Sequence, residues 1–220
     1  MDITDSVLLF LELVGTLAFS FSGAVVAIQR RLDIFGTLVL GVITAVGGGM
    51  IRDITLGVIP PMLFRRPVYV IVAAVTAAVV FALCYFRTEA LEMVSGGIYS
   101  QLIGTMDSVG LGIFTVVGVS AAMQNGYANS SFLAVTVGVI TGVGGGMIRD
   151  LLANRTPVVL HKQVYAVASL AGAVLYYWLL RLTSIPRFAC MFIGAGIVIL
   201  LRLLASHFRW DLPVVGKRGE

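Results

Sequence analysis

Seven apolar runs, each long enough to cross the hydrocarbon core of a bilayer, follow one another along this chain with short connections between them. They lie at about Ser6–Ile28, Ile34–Val58, Val68–Phe86, Tyr99–Met123, Phe132–Ala153, Val164–Leu182 and Phe188–His207. Charged residues make up only 12% of the 220 residues, about half of what a water-facing surface carries. Backbone polar groups in lipid must be satisfied within their own segment, so runs of this length are expected to be helices. The expected fold is therefore an all-α integral membrane protein with seven transmembrane helices, forming one domain over residues 1–220. The first residues, Met1-Asp2-Ile3-Thr4-Asp5, lack the basic region of a cleavable signal peptide, so the first run is expected to be retained.

The octapeptide VGGGMIRD occurs twice, at Val46–Asp53 and Val143–Asp150. The repeat extends beyond it. Gly15 corresponds to Gly112, and Gly41-Val42-Ile43-Thr44 to Gly138-Val139-Ile140-Thr141. With one residue deleted, Pro61 falls on Pro157 and Val68-Tyr69 on Val164-Tyr165. Repeat one (about residues 6–86) thus recurs as repeat two (about 99–182), and the seventh helix (about 188–207) has no counterpart. Three spans are an odd number, so the second copy enters the membrane from the opposite side, an inverted-topology repeat of two three-helix bundles.

Lysines and arginines give the orientation. The N-terminal side holds Arg65, Arg66, Arg181 and Arg187; the other side holds Arg30, Arg31, Arg87, Arg155, Lys162, Arg202, Arg209, Lys217 and Arg218. The excess predicts a cytoplasmic C-terminus and an outside N-terminus in a bacterial plasma (inner) membrane. The same scatter of basic residues in short clusters explains the net charge of +4 by topology, with no nucleic acid as partner.

Gly47-Gly48-Gly49 and Gly144-Gly145-Gly146 sit near the middle of the second and fifth runs. Each glycine weakens a helix by about 0.5–1 kcal/mol. One reading is an unwound hinge at mid-membrane whose bare peptide groups line a polar pathway. The other is close packing, since glycines let helices approach. Arg52 and Arg149 lie about one and a half turns beyond, where a charge needs a partner or water. Two symmetric pairs are expected, Glu12–Arg52 on the outer side and Asp107–Arg149 on the inner, with Asp53 and Asp150 left to cap helices or attract cations. Structural ion pairing without transport is the alternative for all six.

Hydroxyls suggest a narrow polar route: Thr16, Ser20, Ser22, Thr115 and Ser120, with Thr44 and Thr141 one turn before the glycines. Phe19, Phe21 and Phe114 are candidates for an apolar gate or ordinary packing aromatics. His161 and Lys162 are candidates for contact with anionic lipid or for anchoring a helix end. Tyr176, Tyr177 and Trp178 read as an interfacial belt. Enzyme chemistry finds no support: the two histidines, His161 and His207, stand at segment ends, and no nucleophile–base pair or metal-ligand spacing occurs. Cys84 and Cys190 lie inside apolar runs as small hydrophobes. No cofactor or metal is expected.

The doubled Gly-Gly-Gly-x-x-Arg-Asp element, with LVGTLAFSFSGAVVA in the first run and MDSVGLGIFTVVG in the fourth, resembles the prokaryotic branch of the TRIC (trimeric intracellular cation) channel family. The resemblance spans about Leu11 to Leu204. Its domains are also described as glycine transporter domains. What it implies is a homotrimer with a pore in each protomer, framed by the first, second, fourth and fifth helices and passing potassium or sodium ions. The six triplet glycines would be hinges, and Arg52, Asp53, Arg149 and Asp150 the motif's charged members. The lysine-bearing lipid motif of the animal relatives is not found here. A secondary transporter for glycine or another small amino acid stays open as the second function.

Overall fold

The computed structural model describes residues 3–87, 97–161, 164–208 and 210, and of residues 97–100 and 161 the backbone alone. Seven helices in it are long and apolar enough to span a membrane. In chain order the helices are α1 (Ile3–Gln29), α2 (Ile34–Thr55), the short α3 (Met62–Arg65), α4 (Val68–Phe86), α5 (Gly97–Ala122), α6 (Ser131–Leu152), the short α7 (Val158–His161), α8 (Val164–Leu182) and α9 (Arg187–His207). A π-helical turn, Met123–Tyr127, closes α5. Among the described residues there is no strand.

Local chemistry sets the ends. Asp33 caps α2 by accepting from the Gly36 amide, and Ser130 caps α6 by accepting from the Leu133 amide. Both helices stop the same way. The residue after the C-cap is left-handed in each, Gly57 (φ 72°) and Asn154 (φ 51°), and the next amide, Val58 or Arg155, reaches back 2.8 Å to the carbonyl of Asp53 or Asp150. Only glycine and asparagine take that conformation cheaply, so the sequence differs here while the geometry repeats.

The helices α1, α2, α5 and α6 form the centre, with α4 against α1 and α2, and α8 against α5 and α6. The unrepeated α9 lies on α5 and α8. With the spans alternating in direction, α2 ends on the face where α1 begins, here face A, and α6 ends on the opposite face B. Repeat one therefore presents its charged motif at face A, and repeat two at face B.

Glycines govern the packing. A methyl on Gly23 would stand 2.8 Å from the Leu40 carbonyl oxygen, so α1 and α2 cross almost backbone to backbone. The α2–α6 crossing is tighter still: a methyl on Gly48 would strike the Thr141 carbonyl oxygen, and one on Gly145 the Thr44 carbonyl oxygen. This corrects the expectation of unwound hinges at the triplets. Both helices keep helical geometry without interruption through Gly47–Gly49 and Gly144–Gly146. Their weak helix preference is offset by the contact that only the missing side chain permits.

The interfacial belt also needs correction. Tyr176 and Tyr177 face inward and are buried, Tyr177 donating to the Ala128 carbonyl; Trp178 alone of the three looks outward. Neighbouring positions on one helix point 100° apart, so a run of three aromatics cannot share a face.

Candidate functional site

The two arginines of the repeated motif are held by the same fork. Arg52 donates from Nε and Nη2 to Asp53 Oδ1, both at 2.8 Å. Arg149 donates from Nε and Nη2 to Asp150 Oδ1 at 2.9 and 2.8 Å. The second oxygen of each aspartate accepts the first amide of the short helix that follows, Met62 N at 2.7 Å and Val158 N at 2.9 Å. One aspartate thus neutralises its neighbour and ties down the chain beyond the span. This serves the capping role expected of Asp53 and Asp150, but on the next helix rather than on a broken one.

The two clusters then diverge. Arg149 Nη1 donates to Asp107 Oδ1 at 2.7 Å and to Ser22 Oγ at 2.5 Å, so one guanidinium links α1, α5 and α6. Glu12 and Arg52 form no such pair. Arg52 is taken by Asp53, and Glu12 accepts the hydroxyl of Tyr69 on α4. The acids do not sit at equivalent positions: by the repeat spacing Glu12 corresponds to Val109 and Asp107 to Phe10. Inverted symmetry in the backbone therefore did not carry over to the acids.

Tyr165, the repeat partner of Tyr69, is fully buried between Asp107 and Arg202. The Arg202 guanidinium, from the unrepeated helix, lies 4.6 Å from the centre of its ring, a cation–π contact without a counterpart in the repeat pattern. The Val68-Tyr69 and Val164-Tyr165 correspondence was the available signal for the tyrosines, since a retained tyrosine in two oppositely directed spans has a common task.

Three cavities open toward the clusters. At face A a vestibule of about 640 Å³ is lined by Glu12, Arg52, Asp53, Arg65, Arg66, Tyr69, Gln124 and Asn125 among others. A smaller cavity of about 40 Å³ shares Glu12, Arg52, Asp53, Met62 and Tyr69 with it and reaches Thr16, Ala45, Gly49 and Phe114. At face B a cavity of about 410 Å³ is lined by Val26, Ile103, Arg149, Asp150, Arg155, Thr156 and Val158. Between these two sides the protein is closed. Phe19 is 1% exposed, its ring centre 5.3 Å from that of Phe114, and it packs against Gly110 and Gly145.

The predicted polar route is occupied by its own backbone at that depth. Thr44 donates to the Leu40 carbonyl, Thr141 to the Val137 carbonyl and Thr16 to the Glu12 carbonyl, each four residues back. Ser20 donates to the Ala73 carbonyl on α4. Thr115 bonds Ser169, and Ser120 accepts from Arg187. Of the triplet glycines, Gly48 and Gly145 meet at the helix crossing and Gly47 faces Ile148. Gly144 lies against Gly48, Gly146 lies near Tyr165 and Asp107, and Gly49 lines the small cavity. Phe21 packs with Ala24, Val25 and Ala77, away from the Phe19–Phe114 contact. Lys162 and the side chain of His161 lie outside the described residues.

At face B the turns after α1 and α6 are clamped together. Arg30 donates to the Asn154 carbonyl at 2.9 Å, and Arg155 to Gln29 Oε1 at 3.0 Å. Burial, then the neighbouring Arg30 charge, pushes the Arg155 guanidinium pKa down from its ordinary value.

Comparison with known proteins gives a consistent family. The family model described as glycine transporter matches twice, over residues 9–85 and 105–181. The UPF0126 inner membrane protein YadS of Escherichia coli is 37% identical over 204 residues, covering 93% of this chain and 94% of its own. A solved structure bearing on conductance through TRIC cation channels superposes with a TM-score of 0.81 at 33% identity, covering 96% of this chain and 98% of that one. The TRIC orthologue from Rhodobacter sphaeroides superposes with a TM-score of 0.83 at 31% identity, covering 93% and 100%. These solved neighbours are ion channels, not enzymes.

Proposed function

The chain belongs to the prokaryotic TRIC channel family, and from that premise we propose that it is a passive channel for monovalent cations, potassium chief among them, working as a homotrimer with one conduit in each protomer. On this reading the N-terminus faces outward and the C-terminus the cytoplasm of a bacterial inner membrane, an orientation that the distribution of lysine and arginine supports. The observation that carries the reading is the pair of charged cavities entering from opposite faces: the face-A recess reaches the Phe114 ring, which packs on Phe19, and the face-B cavity stops at Val26, Ile103 and Arg149. Such an apolar constriction holds a conduit shut by excluding water. Opening requires those two rings, which come from different helices, α1 and α5, to part.

The narrow inner recess opens off the larger vestibule and shares Glu12, Arg52, Asp53, Met62 and Tyr69 with it. About 40 Å³ at Glu12, Thr16 and Phe114 has room for one or two waters or a partly dehydrated ion. Recording from purified protein in a planar bilayer under a potassium chloride gradient tests the reading. Discrete current steps reversing toward the potassium equilibrium potential are expected. Silence there, with glycine counterflow in proteoliposomes, would replace it with the transporter.

A further inference from the structure

At membrane depth among the described residues, three carboxylates are tied to guanidinium groups: Asp53 to Arg52 at 2.8 Å, and Asp107 and Asp150 to Arg149 at 2.7 and 2.8 Å. Glu12 is the exception. Its partner is the neutral hydroxyl of Tyr69, which uses one carboxylate oxygen. The other, Oε1, has no protein partner and is not sealed in by protein. Glu12 lines both cavities on face A, and the smaller of them ends at the Phe114 ring.

The field along the route follows from this pairing. A guanidinium bound to its own carboxylate presents a dipole, whose effect falls off quickly. A carboxylate without a counter-charge, in a recess with low-dielectric walls, concentrates cations and repels anions. The motif arginines would make a strongly anion-attracting entrance if they were bare; Asp53 cancels Arg52 at face A, and Asp107 with Asp150 over-matches Arg149 at face B. Two cations act on Glu12 at face A without an ion pair: Arg52, whose charge Asp53 already takes up, and Arg66, which stands exposed on the vestibule rim where water screens it.

We propose that Glu12, oriented by Tyr69, sets the charge preference of the conduit: its free oxygen replaces water around a monovalent cation just before the Phe19–Phe114 constriction. The proposal rests on the channel reading. It makes the acid outside the repeated motif, rather than the motif itself, the selectivity-determining group.

The test is the potassium-to-chloride permeability ratio from reversal potentials in asymmetric potassium chloride. Wild type, Glu12→Gln, Glu12→Asp and Arg66→Gln are compared, with each variant's melting temperature and elution volume checked against wild type. Glu12→Gln is expected to lower the ratio about tenfold, at the lower end of what a single-sign cleft achieves. Glu12→Asp keeps most of it, and Arg66→Gln raises it. A merely structural Glu12 would change stability or open probability without moving the ratio. An unchanged ratio in folded Glu12→Gln overturns the inference while the channel reading stands. A wild-type protein that passes no cation current overturns both. Should Glu12→Gln fail to fold, the sign of the Arg66→Gln shift decides: a lowered or unchanged ratio overturns the proposal.

Discussion

Alanine in place of Gly48 separates the two physical accounts of the glycine triplets. If the triplet were a flexible break, any alanine in it would restore helix and stabilise by up to about 1 kcal/mol. The structure demands a different order. At Gly48 the added methyl meets the Thr141 carbonyl oxygen, with Gly145 N only 3.3 Å away, and both are backbone on the opposite helix. Backbone cannot rotate aside, so α2 and α6 must separate. Overpacking of this kind costs about 1–3 kcal/mol or more, which exceeds the propensity gain. At Gly49 the nearest atom outside its own helix backbone is Arg52 Nη2 at 3.8 Å, an ordinary contact. At Gly47 the methyl meets Ile148 Cδ1 at 2.9 Å, the movable end of a side chain. The expected order of stability is Gly49→Ala at or above wild type, Gly47→Ala slightly below, and Gly48→Ala lowest. Cys84 and Cys190 are buried free thiols, so a thiol-reactive dye in detergent reports unfolding directly. A Gly48→Ala protein melting at or above Gly49→Ala would refute the crossing as the reason for the triplet.

Three further outcomes follow from the charged clusters and the constriction. Asp107→Asn leaves Arg149, 3% exposed, with Asp150 as its one remaining acid, and is expected to cost about 1–3 kcal/mol, read as a fall in melting temperature. Asp53→Asn is expected to destabilise more than Asp150→Asn in the same assay, because Asp53 is the one acid paired with Arg52 whereas Arg149 keeps Asp107. Phe114→Ala is expected to raise open probability in bilayer recordings while losing about 3–5 kcal/mol of stability, since it removes half of the ring pair that closes the route.

Much of the fold was legible in the sequence because it depends on length and apolar content alone. Bilayer thickness dictates the span, so seven runs gave seven helices with ends near those expected. The Asp107–Arg149 contact was anticipated because a charge at that depth needs a partner on a facing helix. The Glu12–Arg52 contact failed for a reason the sequence hides. Arg52 can turn back to its own neighbour Asp53, and depth along a helix says nothing about which way a side chain faces around it. The glycines misled similarly. Helix propensity is a local property worth about 1 kcal/mol per residue, and a crossing with a second helix overrides it. Nothing local announces that Thr44 and Thr141 would offer their carbonyls to the opposite glycines. Arg202 was read only as a topological charge, although it lies against Tyr165 inside the protein.

An inverted duplication supplies identical guanidinium groups at both faces, so a difference between the two entrances has to come from positions where the two copies differ, or from the unrepeated helix. Here it comes from three of them. Asp107 and Ser22 close on Arg149 and draw α1, α5 and α6 together at face B. At face A the corresponding guanidinium keeps only Asp53, and the acid Glu12 is turned toward Tyr69 and the vestibule. The unrepeated α9 enforces the difference, since it packs on α5 and α8 and brings Arg202 over Tyr165, while among the described residues α4 meets only α1, α2 and α3. Phe10, at the position equivalent to Asp107, is accordingly left exposed where Asp107 is buried. A three-fold-bonded arginine in a low-dielectric setting resists separation far more than a singly paired one at the edge of a water-filled recess. On the channel reading proposed above, face A is the side that receives the ion, while at face B Arg149 holds α1, α5 and α6 together.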